Sequence, residues 1–197
     1  MTATERLRQM VEGKPVSEIG ASGWLHSPGA DRDRAEVFSS EIIRMTDRSR
    51  WDFLKIMPNG VYNQEAHGSD IEYFSGEMSL EDLKAKRVFH IHNYLIQSPR
   101  QMEAFPVLDV SKNRVYQREI ANVRALAEHY KGTVPILPTI FTPMHCIPEF
   151  VGGIDKARWY YENRPEAVDR MLQALVQTEL QLVDAYIDAG ADGFFFA

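Results

Sequence analysis

Four groups of residues have the types and spacing to do chemistry. The first lies in "WDFLKIMPNGVYNQEAHG", residues 51–68, where an apolar run stops at Pro58-Asn59-Gly60 and a polar row follows. Asn59, Tyr62 and Glu65 stand just past a strand end, and His67 closes the row. Polar side chains beyond the C-terminal end of a buried strand commonly form the rim of an active site. Glu65 is the only carboxylate from 59 to 68, so it is the candidate acid–base group. Pro-Asn-Gly is also ordinary turn chemistry. The second group is His145-Cys146 in "FTPMHCIPEF". A His beside a Cys invites zinc, but adjacent side chains point in different directions and a structural site takes about four ligands. No metal is therefore assigned, His145 is a candidate pocket-lining residue and Cys146 a small buried side chain. The third is His90-Ile91-His92, whose alternate spacing puts both imidazoles on one face of a strand. The fourth comprises the loop histidine His26 and the aromatic run "DKARWYYEN", which could form a lid or simply pack a helix.

The elements that must position these residues follow from periodicity. Thr4 is placed to cap a helix over 5–12, closed by Gly13. Asp31 is placed to cap a second helix to about Thr46, with Ala35, Phe38, Ile42 and Met45 on one face. "DFLKIM" reads as a strand, and 59–78 as irregular. Ser79 with Asp82 three residues on signals a capped turn. Ser111 or Asn113 starts a helix to about Tyr130. "TVPILPTIF" is a buried strand whose prolines suit its ends. The longest helix runs from Pro165 to about Ala189, with a stripe of Val168, Met171, Leu172, Leu175, Val176, Val183, Tyr186 and Ile187. "DGFFFA" is a last strand. Alternating helices and continuously apolar strands define an α/β class with parallel strands buried on both faces, either a (β/α) barrel or an open doubly wound sheet.

The chain has 197 residues, 44% hydrophobic and 25% charged, as expected of one globular domain over 1–197. Its 22 Lys plus Arg against 28 Asp plus Glu argue against a nucleic-acid partner. One cysteine excludes an internal disulfide and points to a reducing, cytoplasmic setting. No apolar run approaches the roughly 20 residues that span a bilayer. No phosphate-binding glycine motif is present.

Three segments in order, "WDFLKIMPNGVYNQEAHG", "PVLDVSKNRVYQREIANVRALAEHYKGTVPILPTIFTPM" and "ENRPEAVDRMLQALVQTELQLVDAYIDAGADGFFFA", resemble the uroporphyrinogen decarboxylase superfamily, which includes methyltransferases working with methylcobalamin and thiol acceptors. The resemblance covers nearly the whole chain. It implies a TIM (β/α)8 barrel with its site at the C-terminal strand ends. Such a barrel takes eight strands and typically ~250 residues, so about the first half is expected here, truncated or completed by a partner. A free "FFFA" strand would expose an aggregation-prone edge.

In the decarboxylases of this superfamily an early glycine-containing loop carries two arginines for substrate carboxylates, an Asp ends the second strand and a Tyr lies beyond the third. By this resemblance His26 stands near the first arginine's place, Asn59 in the place of the Asp, and Glu149 near the Tyr. Asn brings no negative charge to balance a cationic intermediate. These departures favour methyl transfer with a corrinoid carrier over decarboxylation of uroporphyrinogen or a related carboxylate, with an inactive half-barrel or interaction protein as the alternative of another class. The candidate catalytic residues are Asn59, Tyr62 and Glu65, and the candidate substrate-binding residues His26, His67, His145 and Glu149. The partners implied are a small-molecule or tetrapyrrole substrate, a corrinoid protein and a second copy in a homodimer. Zinc would belong only to the methyltransferase-like reading, where the family's His-x-Cys and distant Cys fall downstream of Ala197.

Overall fold

The computed structural model describes residues 1–73 and 89–197. In chain order the helices are α1 (Ala3–Val11), α2 (Ala35–Ser49), α3 (Tyr62–Ala66), α4 (Pro99–Glu103), α5 (Arg114–Tyr130), α6 (Pro143–Val151), α7 (Ile154–Asn163) and α8 (Pro165–Asp188). The strands are β1 (Leu54–Ile56), β2 (Asp70–Tyr73), β3 (Phe89–Asn93), β4 (Ile136–Ile140) and β5 (Phe195–Phe196). They divide into two compact units, one of Met1–Gly60, Tyr116–Ile140 and Leu182–Ala197, the other of Val61–Val115 and Phe141–Gln181. The capped turn expected at Ser79 lies outside the described residues.

The first unit is built on a parallel sheet in the order β1-β4-β5. Leu54 pairs with Ile136 and Ile56 with Pro138 on one side of β4, and Thr139 pairs with Phe195 on the other. The expected mixed α/β class with parallel apolar strands is what forms. β4 departs from expectation in one respect: Pro138 lies inside the strand, not at its end. Ile136 and Ile140 both turn their carbonyls to the last segment, accepting from Asp192 N–H at 2.9 Å and Ala197 N–H at 3.0 Å. Pro138 shares that alternation, so its missing N–H falls on the β5 side, where the pairing is only two residues long.

Helix starts in this unit differ from the sequence expectation. α1 is capped by Thr2, not Thr4: Thr2 Oγ1 accepts from Glu5 N–H at 3.1 Å and Glu5 Oε2 accepts from Thr2 N–H at 2.7 Å. The reciprocal cap needs an acid three residues on, which Thr2 has and Thr4 lacks. Asp31 sits in a single 3-10 turn, Ala30–Arg32, and α2 begins only after Arg34, without a side-chain cap. Phe38 and Ile42 are its buried apolar residues, as the periodicity requires.

The second unit holds an antiparallel pair, β2 with β3, and the short helix α3, where irregular chain was expected over 59–78. Periodicity missed α3 because Tyr62, Asn63 and Gln64 are all buried although two of them are polar amides. α8 shows the same effect. Val176 and Ile187, expected on its buried stripe, are 43% and 54% exposed, while Thr178 and Glu179 are buried. The Thr178 hydroxyl accepts from Leu108 N–H at 3.0 Å, and Gln181 bonds Leu108 O at 3.0 Å. The inward Thr178 and the exposed Gln181 of α8 thus satisfy the backbone of the loop at Leu108.

After α8, Gly190 adopts φ 103°, and a Cβ there would lie 2.7 Å from the Ala127 Cβ of α5. Both the left-handed backbone and the close approach require glycine. Gly190→Ala is expected to destabilise the protein by about 1–3 kcal/mol, read as a lower urea midpoint at unchanged slope.

Candidate functional site

The polar row after β1 divides between the two units. Asn59 belongs to the first, 4% exposed. Tyr62, Glu65 and His67 belong to the second, with His145 and Glu149.

In the second unit α3 packs against α6. Thr142 is the N-cap of α6, and Pro143 opens it, as suits a residue without an N–H. Asn63 Nδ2 donates to Cys146 Sγ at 3.2 Å, and Gln64 Nε2 donates to Cys146 O at 3.2 Å. Burial pushes the Cys146 thiol up to about 12, with a smaller contribution from the charges of Glu179 and Glu149, against the lowering bond from Asn63. At neutral pH it stays protonated, which leaves it a poor nucleophile. The sequence reading of Cys146 as a small buried side chain agrees with this placement.

Around that core lie several of the candidate residues. The Tyr62 ring is 5.7 Å from Phe141, and Phe141 stacks on His145 at 5.4 Å with 15° between planes. Tyr62 is fully buried and His145 exposed, so the three rings form a column from interior to surface. Glu149 lies one helical turn beyond His145 on α6 and is half-buried. Glu65, three residues after Tyr62 on α3, accepts from the Tyr73 hydroxyl at 3.5 Å. Half-exposed acid and imidazole beside aromatic rings can hold a small polar substrate and move a proton.

His67 stands apart from these. Its ring stacks on Phe105 at 4.4 Å and meets Phe150 edge-on at 5.4 Å. Neither ring nitrogen has a hydrogen-bond partner among the described residues. Burial lowers its pKa to about 4, so it is a neutral ring in an aromatic cluster at physiological pH.

His26 is exposed in the first unit, where its charge acts on the buried Asp31 carboxyl. The Asp31 pKa is raised by burial, against lowering by Arg32, the Gly29 N–H, His26 and Arg118. Lys55 of β1 is a group the sequence reading passed over. Its Nζ lies 3.8 Å from the Trp24 ring centroid and 3.6 Å from that of Phe195. A lone lysine inside the apolar run "DFLKIM" was the available signal.

His90 and His92 do share a face, with rings 4.8 Å apart, and His92 Nε2 pairs with Glu72 Oε2 at 3.0 Å. No group of three or more His, Cys, Asp or Glu that could hold a metal ion occurs among the described residues. The described residues therefore offer no ligand set for zinc. A cavity also opens in the second unit beside His92, Lys156, Trp159 and Tyr160. The runs "HIHNY" and "ARWYY" were its trace in the sequence. No helix among the described residues is long and apolar enough to cross a membrane.

Fold and site together define a mixed α/β chain with a parallel sheet and a polar cluster about α3 and α6. No protein-family model matches the sequence, and no curated protein does. Among solved structures the chain is similar to a methyltransferase from Methanosarcina mazei, with a TM-score of 0.77 at 15% identity. The match covers 98% of this chain and 58% of that one, so this chain spans little more than half the length of its structural neighbour. At this identity the likeness establishes a methyltransferase-like fold.

Glu179 supplies a pH test of the second unit. It is 8% exposed, its Oε1 has no partner among the described residues, and burial raises its pKa to about 8 from the usual 4.5. Between those values the folded state holds a proton that the unfolded state releases, so stability is lost as pH rises from about 4.5 to about 8. His67 has the opposite sign. Its folded pKa of about 4 lies below the usual 6.5, so stability is lost as pH falls through that window. Glu179→Gln is expected to unfold at higher urea than wild type at pH 8 and to lose that advantage by pH 4.5. His67→Phe is expected to flatten the acid limb between pH 6.5 and 4.

Proposed function

We propose that this chain is the N-terminal part of a (β/α) barrel of the uroporphyrinogen decarboxylase type, acting in methyl transfer with a corrinoid carrier. The observation that carries this reading is the likeness of fold to a methyltransferase over 98% of the chain. The side chain of Asn59 supports it from the chemistry. It is neutral, 4% exposed, and stands where the family resemblance would put a decarboxylase's carboxylate. Decarboxylation that passes through a cationic intermediate gains little from a neutral amide.

In this reading the half-exposed cluster of the second unit handles the small-molecule substrate. His145 stacks on the face of Phe141, which fixes its plane, and presents its imidazole to solvent. Glu149 and Glu65 are the neighbouring carboxylates able to take or return a proton. Asn63 and Gln64 hold α6 against α3 through Cys146, which keeps His145 and Glu149 in register. Asn59 as a catalytic candidate and His26 as a substrate-binding candidate belong to the first unit and are kept apart from this cluster. The zinc of related methyltransferases has no ligand set among the described residues, so no step is assigned to it. A corrinoid protein is the macromolecular partner, in a cytoplasmic setting, with a homodimer as the assembly.

The experiment is anaerobic incubation with methylcobalamin and a simple thiol, following corrinoid absorbance and the thioether product. Protein-dependent demethylation is expected, falling about 10- to 100-fold in His145→Ala with an unchanged circular dichroism spectrum. Inertness toward methylcobalamin, together with release of carbon dioxide from uroporphyrinogen, would overturn the reading in favour of the decarboxylase.

A further inference from the structure

The second unit carries a cavity of about 440 Å³ that the proposed chemistry leaves unused. It lies where β3 runs on through Tyr94 and where α6 passes into α7 through Gly152-Gly153. Its size is within the range of sites that enclose a small organic molecule. Ile96 and Val151, both buried, give it an apolar floor.

The remaining lining is of two kinds. Tyr94, Trp159 and Tyr160 supply ring surface, and His92, Gln97 and Lys156 supply polar groups. Trp159 is 47% exposed, meets Tyr160 edge-on at 5.2 Å and has the Arg164 guanidinium 5.7 Å from its ring centroid, so its ring is held and in part open. A half-exposed tryptophan at a concavity is a ready partner for a flat ligand.

The charge in the cavity is specific. Gln97 is already engaged, its amide donating to Tyr94 O at 3.3 Å. His92 is held by Glu72 at 3.0 Å. Lys156 has no ion-pair partner among the described residues. Its Nζ instead stands 5.9 Å from the Tyr94 ring centroid. Beside them is Gly152, the left-handed C-cap of α6 at φ 97°, where a Cβ would lie 3.1 Å from both Lys156 Nζ and Tyr94 Cδ2.

A cation without an ion-pair partner among the described residues, beside the Tyr94 ring and over an apolar floor, selects its ligand by elimination. A second cation would be repelled by Lys156. A neutral hydrocarbon would leave the amine without a counter-charge. A polyphosphate would call for several cations or a cradle of backbone N–H groups. A single negative charge on a flat apolar body satisfies every wall. We propose that this cavity binds a small planar aromatic carboxylate, its ring against Trp159 and Tyr94 and its carboxylate on Lys156. This assignment does not rest on methyl transfer and stands or falls separately.

The test is equilibrium dialysis of the whole chain against 2-naphthoate and its neutral counterpart 2-naphthylmethanol. Saturable naphthoate binding is expected, weakening roughly three- to tenfold in Lys156→Gln, with naphthylmethanol binding unchanged by that substitution. Added salt should erase most of the difference between the ligands in the wild type and none of it in the variant. Lys156→Gln is a helix-surface change whose fold is checked by circular dichroism. Naphthoate binding that is unaltered in Lys156→Gln, or that fails to saturate at millimolar ligand, would overturn the proposal.

Discussion

The backbone of β4 must be satisfied on both sides while the strand carries a proline, and the first unit is arranged around that requirement. On one flank β1 pairs in parallel register, and the Thr139 hydroxyl adds a bond to Ile56 O at 2.6 Å. On the other flank the pairing with β5 is brief, and a side chain stands in where backbone cannot: Asp192 Oδ2 accepts from Ile136 N–H at 2.9 Å. The segment "AGADGFFF" is shaped by this. Gly190 turns the chain tightly under α5, Asp192 reaches the start of β4, and the phenylalanines follow alongside. Each buried polar group left unmade would cost about 1–3 kcal/mol, so the loop has little freedom of sequence at those two residues.

The second unit is organised by a different constraint, the burial of side chains that can titrate. Cys146, Glu179 and His67 are all moved toward their neutral forms, two upward and one downward, and burial is the largest cause in each. Taking charge out of water costs more than these local partners return. The interior is therefore chemically quiet at neutral pH. The titratable groups of this unit that keep contact with water include His145, Glu149 and Glu65 about α3 and α6, and Lys156 at the separate cavity. Asn63 and Gln64 serve the quiet interior. They tie α3 to α6 at the thiol and the carbonyl of Cys146.

Much of the scaffold was legible residue by residue. Pro165 and Gly190 bracket α8 because proline suits a first helical position and glycine a left-handed close. "LKI" and "ILPTI" are strands because continuous apolar runs must be covered on both faces. The site was legible only in part. His145 was singled out from its place beyond a strand, and the structure shows it exposed and stacked on Phe141. His67 looked the same in sequence, yet Phe105 and Phe150 enclose it, and those two rings lie far along the chain from it. Lys156 left no sequence signal of its own, since a lysine on a helix is ordinary until the glycine and tyrosine that frame it are seen.

The sequence by itself determined the class of fold, the parallel strands and the main helices. These depend on local propensity and on period, which are properties of neighbouring residues. Tertiary structure alone decided which polar residues are interior: α3, read as loop, is a buried helix, and Thr178 and Glu179 face inward where Val176 and Ile187 were expected. Burial is set by what distant segments need covered or hydrogen-bonded. That demand is written in the partner segment, so no window on the helix itself can display it.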